Sequence, residues 1–351
     1  MTAVPAPVME LTGVRKEFAL RRGWLSALTD RPRTVLALDG VDLTVGEGEV
    51  VGLVGESGSG KSTLAYAMVR LVPVTGGTIR YRGVDVTHQA RRPLRAFWRR
   101  VQIIFQDTHS SLNPRKTLGQ ALQDPLRVRG VSRAERPVEA GNLLTQVGLG
   151  PQFLHRYPHE LSGGQRQRVV IARALAMSPE FLIADEPVSS LDVSLQAQIL
   201  NLLMQLRARL NLSMLFVSHD LALVNHITNR VAVMYAGRIV EVGATPEVLR
   251  APAHPYTQAL IAATPKGLAG RGRAHEALAG DPPDPSSPSA GCRFAPRCPH
   301  VMPVCREVAP AAVRLSVTRA TECHLFDAAA IQPADARPRG AADVALNGGT
   351  R

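Results

Sequence analysis

The sequence predicts an α/β fold built on a largely parallel sheet, with an inserted helical subdomain and a small cysteine-bearing module behind it. Three observations carry this expectation. Short apolar runs at 50–54, 101–105, 181–184, 214–217 and 231–234 alternate with helical patterns at 61–71, 132–147, 163–177 and 195–210. Strands interleaved with helices of about 10–15 residues pack as layers around a parallel sheet. A glycine-rich turn joins the first of these strands to the first helix, and all four cysteines lie beyond residue 291.

Taken in order, segments 8–18 and 35–45 alternate apolar and polar residues with the period of half-buried strands. The stretch 108–147 has few strand signals and reads as helical, which places a subdomain at about 107–177 inside a larger domain spanning 8–263. Beyond it the composition changes: 267–272 is rich in glycine, and Asp281-Pro282-Pro283-Asp284-Pro285 has no capacity for regular structure. A linker is therefore expected at 264–290, a cysteine module at 291–326 and a disordered tail at 327–351.

Composition narrows the function classes. With 351 residues, 45% of them hydrophobic and 20% charged, the chain is neither disordered nor fibrous. A net charge of +12 favours anionic partners without choosing among nucleotide, nucleic acid and phospholipid. No apolar run approaches the ~18 residues of a spanning helix, and the stretch Met1-Thr2-Ala3-Val4-Pro5-Ala6-Pro7 lacks the pattern of a secretory signal. The expectation is a cytoplasmic chain with reduced thiols.

The strongest motif is Gly55-Glu56-Ser57-Gly58-Ser59-Gly60-Lys61-Ser62, followed by Thr63. It matches G-x-x-x-x-G-K-[ST] between an apolar strand and a helix. Glycines let the chain wrap a phosphate with its amides, and the helix directs its positive dipole end at the same charge. Lys61 would reach the β- and γ-phosphates of ATP, and Ser62 would ligate Mg²⁺. Asp185, ending the apolar run 181–184, is placed to hold the same Mg²⁺; Glu186 is the candidate general base for the attacking water. An acidic pair at a strand end is also a common helix cap.

Leu161-Ser162-Gly163-Gly164-Gln165 opens a helix and offers a second phosphate cradle. One nucleotide does not need two. Here the sequence resembles the ATP-binding-cassette (ABC) ATPases over roughly 8–263. The resemblance implies a phosphate-loop core with a mainly parallel sheet, an antiparallel β region and an inserted helical subdomain. It also implies that Ser162, Gly163, Gly164 and Gln165 face the nucleotide of a second ATPase subunit, a paralogue or a second copy, in a dimer that sandwiches ATP. Gln106 matches the glutamine that senses Mg²⁺ and γ-phosphate, Asp192 of Ser190-Leu191-Asp192 the loop that crosses the dimer interface, and His219 the histidine at the γ-phosphate. Phe18 is the candidate for the aromatic that stacks on adenine, with a core aromatic as the alternative.

Within that family the chain is most similar to ATP-binding subunits of peptide and nickel importers. The resemblance lies in Ser110-Ser111-Leu112-Asn113-Pro114-Arg115, Tyr157-Pro158-His159-Glu160 and His254-Pro255-Tyr256-Thr257-Gln258-Ala259-Leu260. It implies ATP hydrolysis that drives import of di- or oligopeptides, with nickel or another small solute as the alternative. The implied partners are two transmembrane permeases and, indirectly, an extracytoplasmic solute-binding protein, with the chain peripheral on the cytoplasmic face of the cell membrane. No specific nucleic acid is expected. The rival from another class, an ABC ATPase acting on nucleic acid or ribosomes, would carry two cassettes or a coiled-coil insertion, and neither is present.

Cys292, Cys298, Cys305 and Cys323 share one 32-residue window. Four thiolates suit an iron–sulfur cluster or zinc, and gaps of 5, 6 and 17 residues lack the short pairs common at structural zinc. The neighbourhood Gly291-Cys292-Arg293-Phe294-Ala295-Pro296-Arg297-Cys298-Pro299 resembles importer ATPases of which some carry a [4Fe–4S] cluster. That cluster is the expectation, ahead of zinc and of an unmetallated packed module. The stretch 91–100 holds five arginines and no acid; it reads as a solvated helix face, with an anionic contact as the alternative.

Overall fold

A computed structural model of the chain describes residues 7–19, 34–107, 111–263, 280, 283–284, 286 and 289–327. Residues 20–33, most of the linker and nearly all of the tail lie outside the described residues.

Two long strands, β1 (Pro7–Ala19) and β2 (Thr34–Gly46), pair antiparallel from Pro7↔Gly46 to Ala19↔Thr34. After β3 (Val50–Val54) and α1 (Lys61–Met68) come β4 (Gly76–Tyr81) and β5 (Val84–Asp85), which complete a four-stranded sheet in the order β2-β1-β4-β5. Helix α2 (Arg91–Arg100) leads into β6 (Val101–Ile104). It buries Leu94 and Phe97 and leaves Arg91, Arg92, Arg95 and Arg99 exposed, an amphipathic surface helix.

The inserted region contains α3 (Leu118–Arg129), α4 (Arg136–Gln146) and α5 (Gly163–Leu175). Thr117 and Gln120 cap α3 reciprocally, and Gly130 ends it in the left-handed conformation. Strand β7 (Phe181–Asp185), α6 (Val193–Leu210), β8 (Ser213–Val217), α7 (Leu221–Ile227), β9 (Arg230–Tyr235) and β10 (Arg238–Ala244) follow. The C-terminal portion holds α8 (Thr245–Arg250), α9 (Pro255–Ala262), α10 (Pro303–Glu307), β11 (Ala312–Arg314) and β12 (Ala320–Glu322).

The second sheet has eight strands in the order β11-β12-β10-β9-β3-β8-β7-β6. Its five strands from β9 to β6 run parallel, and β10, β12 and β11 extend it antiparallel. Parallel strands are covered on both faces, which explains their continuous apolar runs. Val50, Leu182, Met214 and Phe216 pack with the helices of the inserted region, while Val51, Phe181, Leu215 and Val217 pack with α1 and the antiparallel sheet. The cysteine module is thus part of this sheet rather than an appendage. Its hairpin is pinned by buried Glu241 of β10, whose carboxylate accepts from Arg319 Nη2 at 2.6 Å, Ala253 N at 3.0 Å and His254 N at 2.9 Å.

Candidate active site

Strand β3 ends at Val54, and the chain loops back on itself before entering α1. The loop demands glycine at both ends. A Cβ on Gly55 would lie 2.1 Å from Met234 O, and one on Gly60, at φ +106, would lie 2.7 Å from Ala37 O. Gly237 N donates to Ser59 O at 2.8 Å, so the turn between β9 and β10 braces the loop from behind. Lys61 Nζ donates to the carbonyls of Gly55 and Glu56, each at 2.8 Å. Burial lowers the Lys61 pKa, opposed by the fields of Glu186 and Asp185.

Asp185 ends β7 and is fully buried. Its Oδ1 accepts from Ser62 Oγ at 3.2 Å, and among the described residues its buried Oδ2 has no hydrogen-bond partner. Burial raises its pKa, and Glu186 adds to the effect. An orphaned carboxylate oxygen beside a hydroxyl is a hard oxygen donor set, and it fits Mg²⁺.

Glu186 takes φ +46, a left-handed conformation that costs a non-glycine residue about 1–3 kcal/mol and concentrates at functional sites. Its amide donates to Val217 O at 3.0 Å. Its Oε2 accepts from Gln106 Nε2 at 2.8 Å, and its Oε1 lies 3.2 Å from His219 Nδ1. These three side chains come from just beyond the carboxyl ends of β6, β7 and β8, the edge where parallel sheets bind ligands. With loop residues 56–63 they line a cavity of 970 Å³, closed elsewhere by 35–37, 235–237, Pro283 and Asp284.

Phe18 is not among the lining residues. It pairs with Val35, which does line the cavity, but its ring is 40% exposed and lies beneath the Lys16 ammonium at 4.7 Å. Lys16 and Phe18, two apart on one strand, share a sheet face, and the ring meets the ammonium there. The apolar wall is instead Val35, Leu36 and Ala37.

Ser162, Gly163, Gly164, Gln165 and Asp192 also lie outside the cavity. Ser162 caps α5, its Oγ accepting from Gln165 N at 3.3 Å while Gln165 Oε1 accepts from Ser162 N at 3.1 Å. Asp192 caps α6 through Leu195 N at 2.9 Å. A Cβ on Gly163 would meet Leu191 at 3.3 Å, so the two segments sit against each other.

The four cysteines gather in one part of the module and interact electrostatically, yet among the described residues no three metal-ligating side chains form a group that could hold an ion. Burial raises the thiols of Cys292, Cys298 and Cys323, the last to about 11. The expected [4Fe–4S] cluster thus has no support in the arrangement of the described residues.

Two contacts had no signal in the sequence. Tyr256 Oη accepts from Glu56 N at 2.8 Å, and Arg297 grips the Glu56 carboxylate through both terminal nitrogens, at 2.8 and 3.0 Å. Both partners lie 200 or more residues from Glu56.

A phosphate-wrapping loop backed by a cation-fitting aspartate defines the class: a phosphate-loop nucleoside triphosphatase. A profile of the ABC transporter family matches residues 38–189, and one of the oligopeptide/dipeptide transporter C-terminal region matches 240–305. The chain is 46% identical over 340 residues to the probable peptide ABC transporter ATP-binding protein y4tS of Sinorhizobium fredii, covering 97% of this chain and 95% of the relative. It is 44% identical over 325 residues to the oligopeptide transport ATP-binding protein AppF of Bacillus subtilis, covering 91% and 97%. The dimeric structure of a post-hydrolysis state of the ATP-binding cassette MJ0796 bound to ADP and Pi superposes with a TM-score of 0.59 at 28% identity, covering 68% of this chain and 98% of that one. The chain belongs to the ABC transporter ATP-binding proteins and is an ATP hydrolase of that family.

Proposed function

We propose that this chain is the subunit that binds and hydrolyses ATP in a multi-subunit importer of di- or oligopeptides. One observation carries the catalytic part: Glu186 is held between Gln106 and His219, at 2.8 and 3.2 Å, at the mouth of the phosphate-loop cavity. In that position the carboxylate takes the proton of the attacking water. Lys61 and the loop amides hold the β- and γ-phosphates, and His219 contacts the γ-phosphate. Mg²⁺, when bound, neutralises phosphate charge; Ser62 and Asp185 would hold it, with Gln106 alongside.

The signature residues Ser162–Gln165 and Asp192 would face the nucleotide of a second ATPase subunit, since they lie outside this chain's own cavity. Two permeases would receive the motion, and an extracytoplasmic binding protein would deliver solute. Among the described residues no helix is long and apolar enough to cross a membrane, which suits a peripheral position on the cytoplasmic face. Peptide is favoured over nickel by what the similar proteins are named for. An iron–sulfur cluster on Cys292, Cys298, Cys305 and Cys323 has no role in this reading, and iron and acid-labile sulfide in anaerobically purified protein would be its test.

The test of the function is uptake into proteoliposomes holding the chain with its permeases. Labelled oligopeptide should accumulate with ATP, and Lys61→Ala should abolish the accumulation. ATP-driven uptake of Ni²⁺ without peptide uptake would overturn the substrate class.

A further inference from the structure

We propose that Arg297 of the cysteine module is a positioning residue of the nucleotide site: it neutralises the Glu56 carboxylate inside the phosphate loop and thereby sets the affinity for nucleotide phosphates. The inference rests on the nucleotide reading above and adds a determinant from a distant part of the chain. Glu56 is the second residue of the loop and lines the cavity. A bare carboxylate there would repel the phosphates that the loop amides attract.

Arg297 removes that charge by a planar, two-bond grip, Nη1 to Oε2 at 2.8 Å and Nη2 to Oε1 at 3.0 Å. The Arg297 side chain is 4% exposed and that of Glu56 26%, so the grip is packed on the arginine side and reaches solvent on the carboxylate side. The guanidinium is also fixed in place. Tyr235 Oη lies 3.4 Å from Nη1, and Arg297 N donates to Phe294 O at 2.9 Å. Phe294 is buried against Tyr235 and Tyr256 at ring separations of 5.3 and 5.6 Å. Tyr256 in turn accepts from the Glu56 amide, so that elements C-terminal to β9 hold both the backbone and the side chain of one loop residue. Arg293, in the same turn, binds Asp39 at 2.8 Å and anchors the turn to β2.

A charge-neutralising role and a packing role predict different double variants. Without Arg297, the uncompensated carboxylate penalises nucleotide; with Glu56 also made neutral, the penalty disappears.

The test is calorimetric titration of the full-length chain with MgADP, with thermal unfolding measured on every variant. Arg297→Ala should weaken binding about tenfold, equivalent to about 1.4 kcal/mol, and less at high salt. Arg297→Lys should retain most of the affinity. Glu56→Gln combined with Arg297→Ala should return to within about twofold of the unaltered chain. A double variant as weak as Arg297→Ala, an Arg297→Ala chain of unchanged affinity, or failure of both variants to fold overturns the inference. If the unaltered chain binds no better than Lys61→Ala, the nucleotide reading itself falls, and the inference with it.

Discussion

Asp185 and Glu186 are neighbours with opposite environments. Asp185 is sealed in the core with one oxygen unpartnered, whereas Glu186 sits on a strained backbone between two polar side chains at the cavity mouth. Burial that raises a carboxyl's pKa is tolerable where a cation will compensate it, so Asp185→Asn should remove the Mg²⁺ dependence of nucleotide binding and slow hydrolysis by about 100-fold or more. Binding titrations with and without Mg²⁺ read the first effect directly. Lys61 and Ser62 were singled out by the G-x-x-x-x-G-K-[ST] pattern and Asp185 and Glu186 by their place at the end of an apolar run, whereas Gln106 and His219 were read only through the family resemblance. Whether Phe18 entered the cavity was not legible, since that depends on how the end of β1 is placed against the phosphate loop in three dimensions. Arg297 and Tyr256 were invisible for a different reason: they reach Glu56 only through tertiary packing.

At the scale of elements, the strands from β9 to β6 read clearly, because burial on both faces leaves uninterrupted apolar runs. Strand β10 did not, for it carries buried Glu241 in its middle. Helix α3 lies within the stretch 108–147 that reads as helical, although Pro125 interrupts its pattern, and β11 and β12 are three residues each, too short for periodicity to show. Glu241 is what joins these pieces. Glu241→Ala strands Arg319, whose side chain is only 13% exposed, and should cost about 3 kcal/mol or more, measured by denaturant unfolding.

Helix α9 adds a pH dependence. His254 caps it, Nδ1 accepting from Tyr256 N at 2.9 Å, and burial lowers the imidazole from 6.5 to about 4. Between those values the unfolded chain binds a proton that the folded chain refuses. The stability is therefore whole above pH 6.5 and is lost on acidification through the window, by about 2 kcal/mol at pH 5. Melting temperatures at pH 7 and pH 5 should show the fall, and His254→Asn, which keeps a capping side chain, should shrink it.

For the molecule as a whole, the hairpin of the cysteine segment extends the central sheet, Arg297 reaches the phosphate loop and Arg293 reaches Asp39 of β2. These connections were not available to sequence patterns, because they are the pairing of β10 with β12 and ion pairs such as Arg319–Glu241 and Arg297–Glu56 between residues far apart in the chain. The +12 charge, which favoured anionic partners without choosing among them, is the excess of bases left after every acid is matched, and the exposed arginines of α2 carry part of it on a solvated helix face. One chain offers the phosphate loop with Gln106, Glu186 and His219 in one cavity and the signature helix elsewhere, which is the arrangement the proposed two-subunit site requires.

The central claim is that Glu186 drives hydrolysis at such a shared site. Its most direct test compares Glu186→Gln with the unaltered chain, each assembled with its partner subunits, by steady-state phosphate release and by the fraction of ATP retained on isolated complexes. The account predicts phosphate release lower by about 100-fold or more, with ATP held in a stable closed dimer. Phosphate release at the unaltered rate would contradict it.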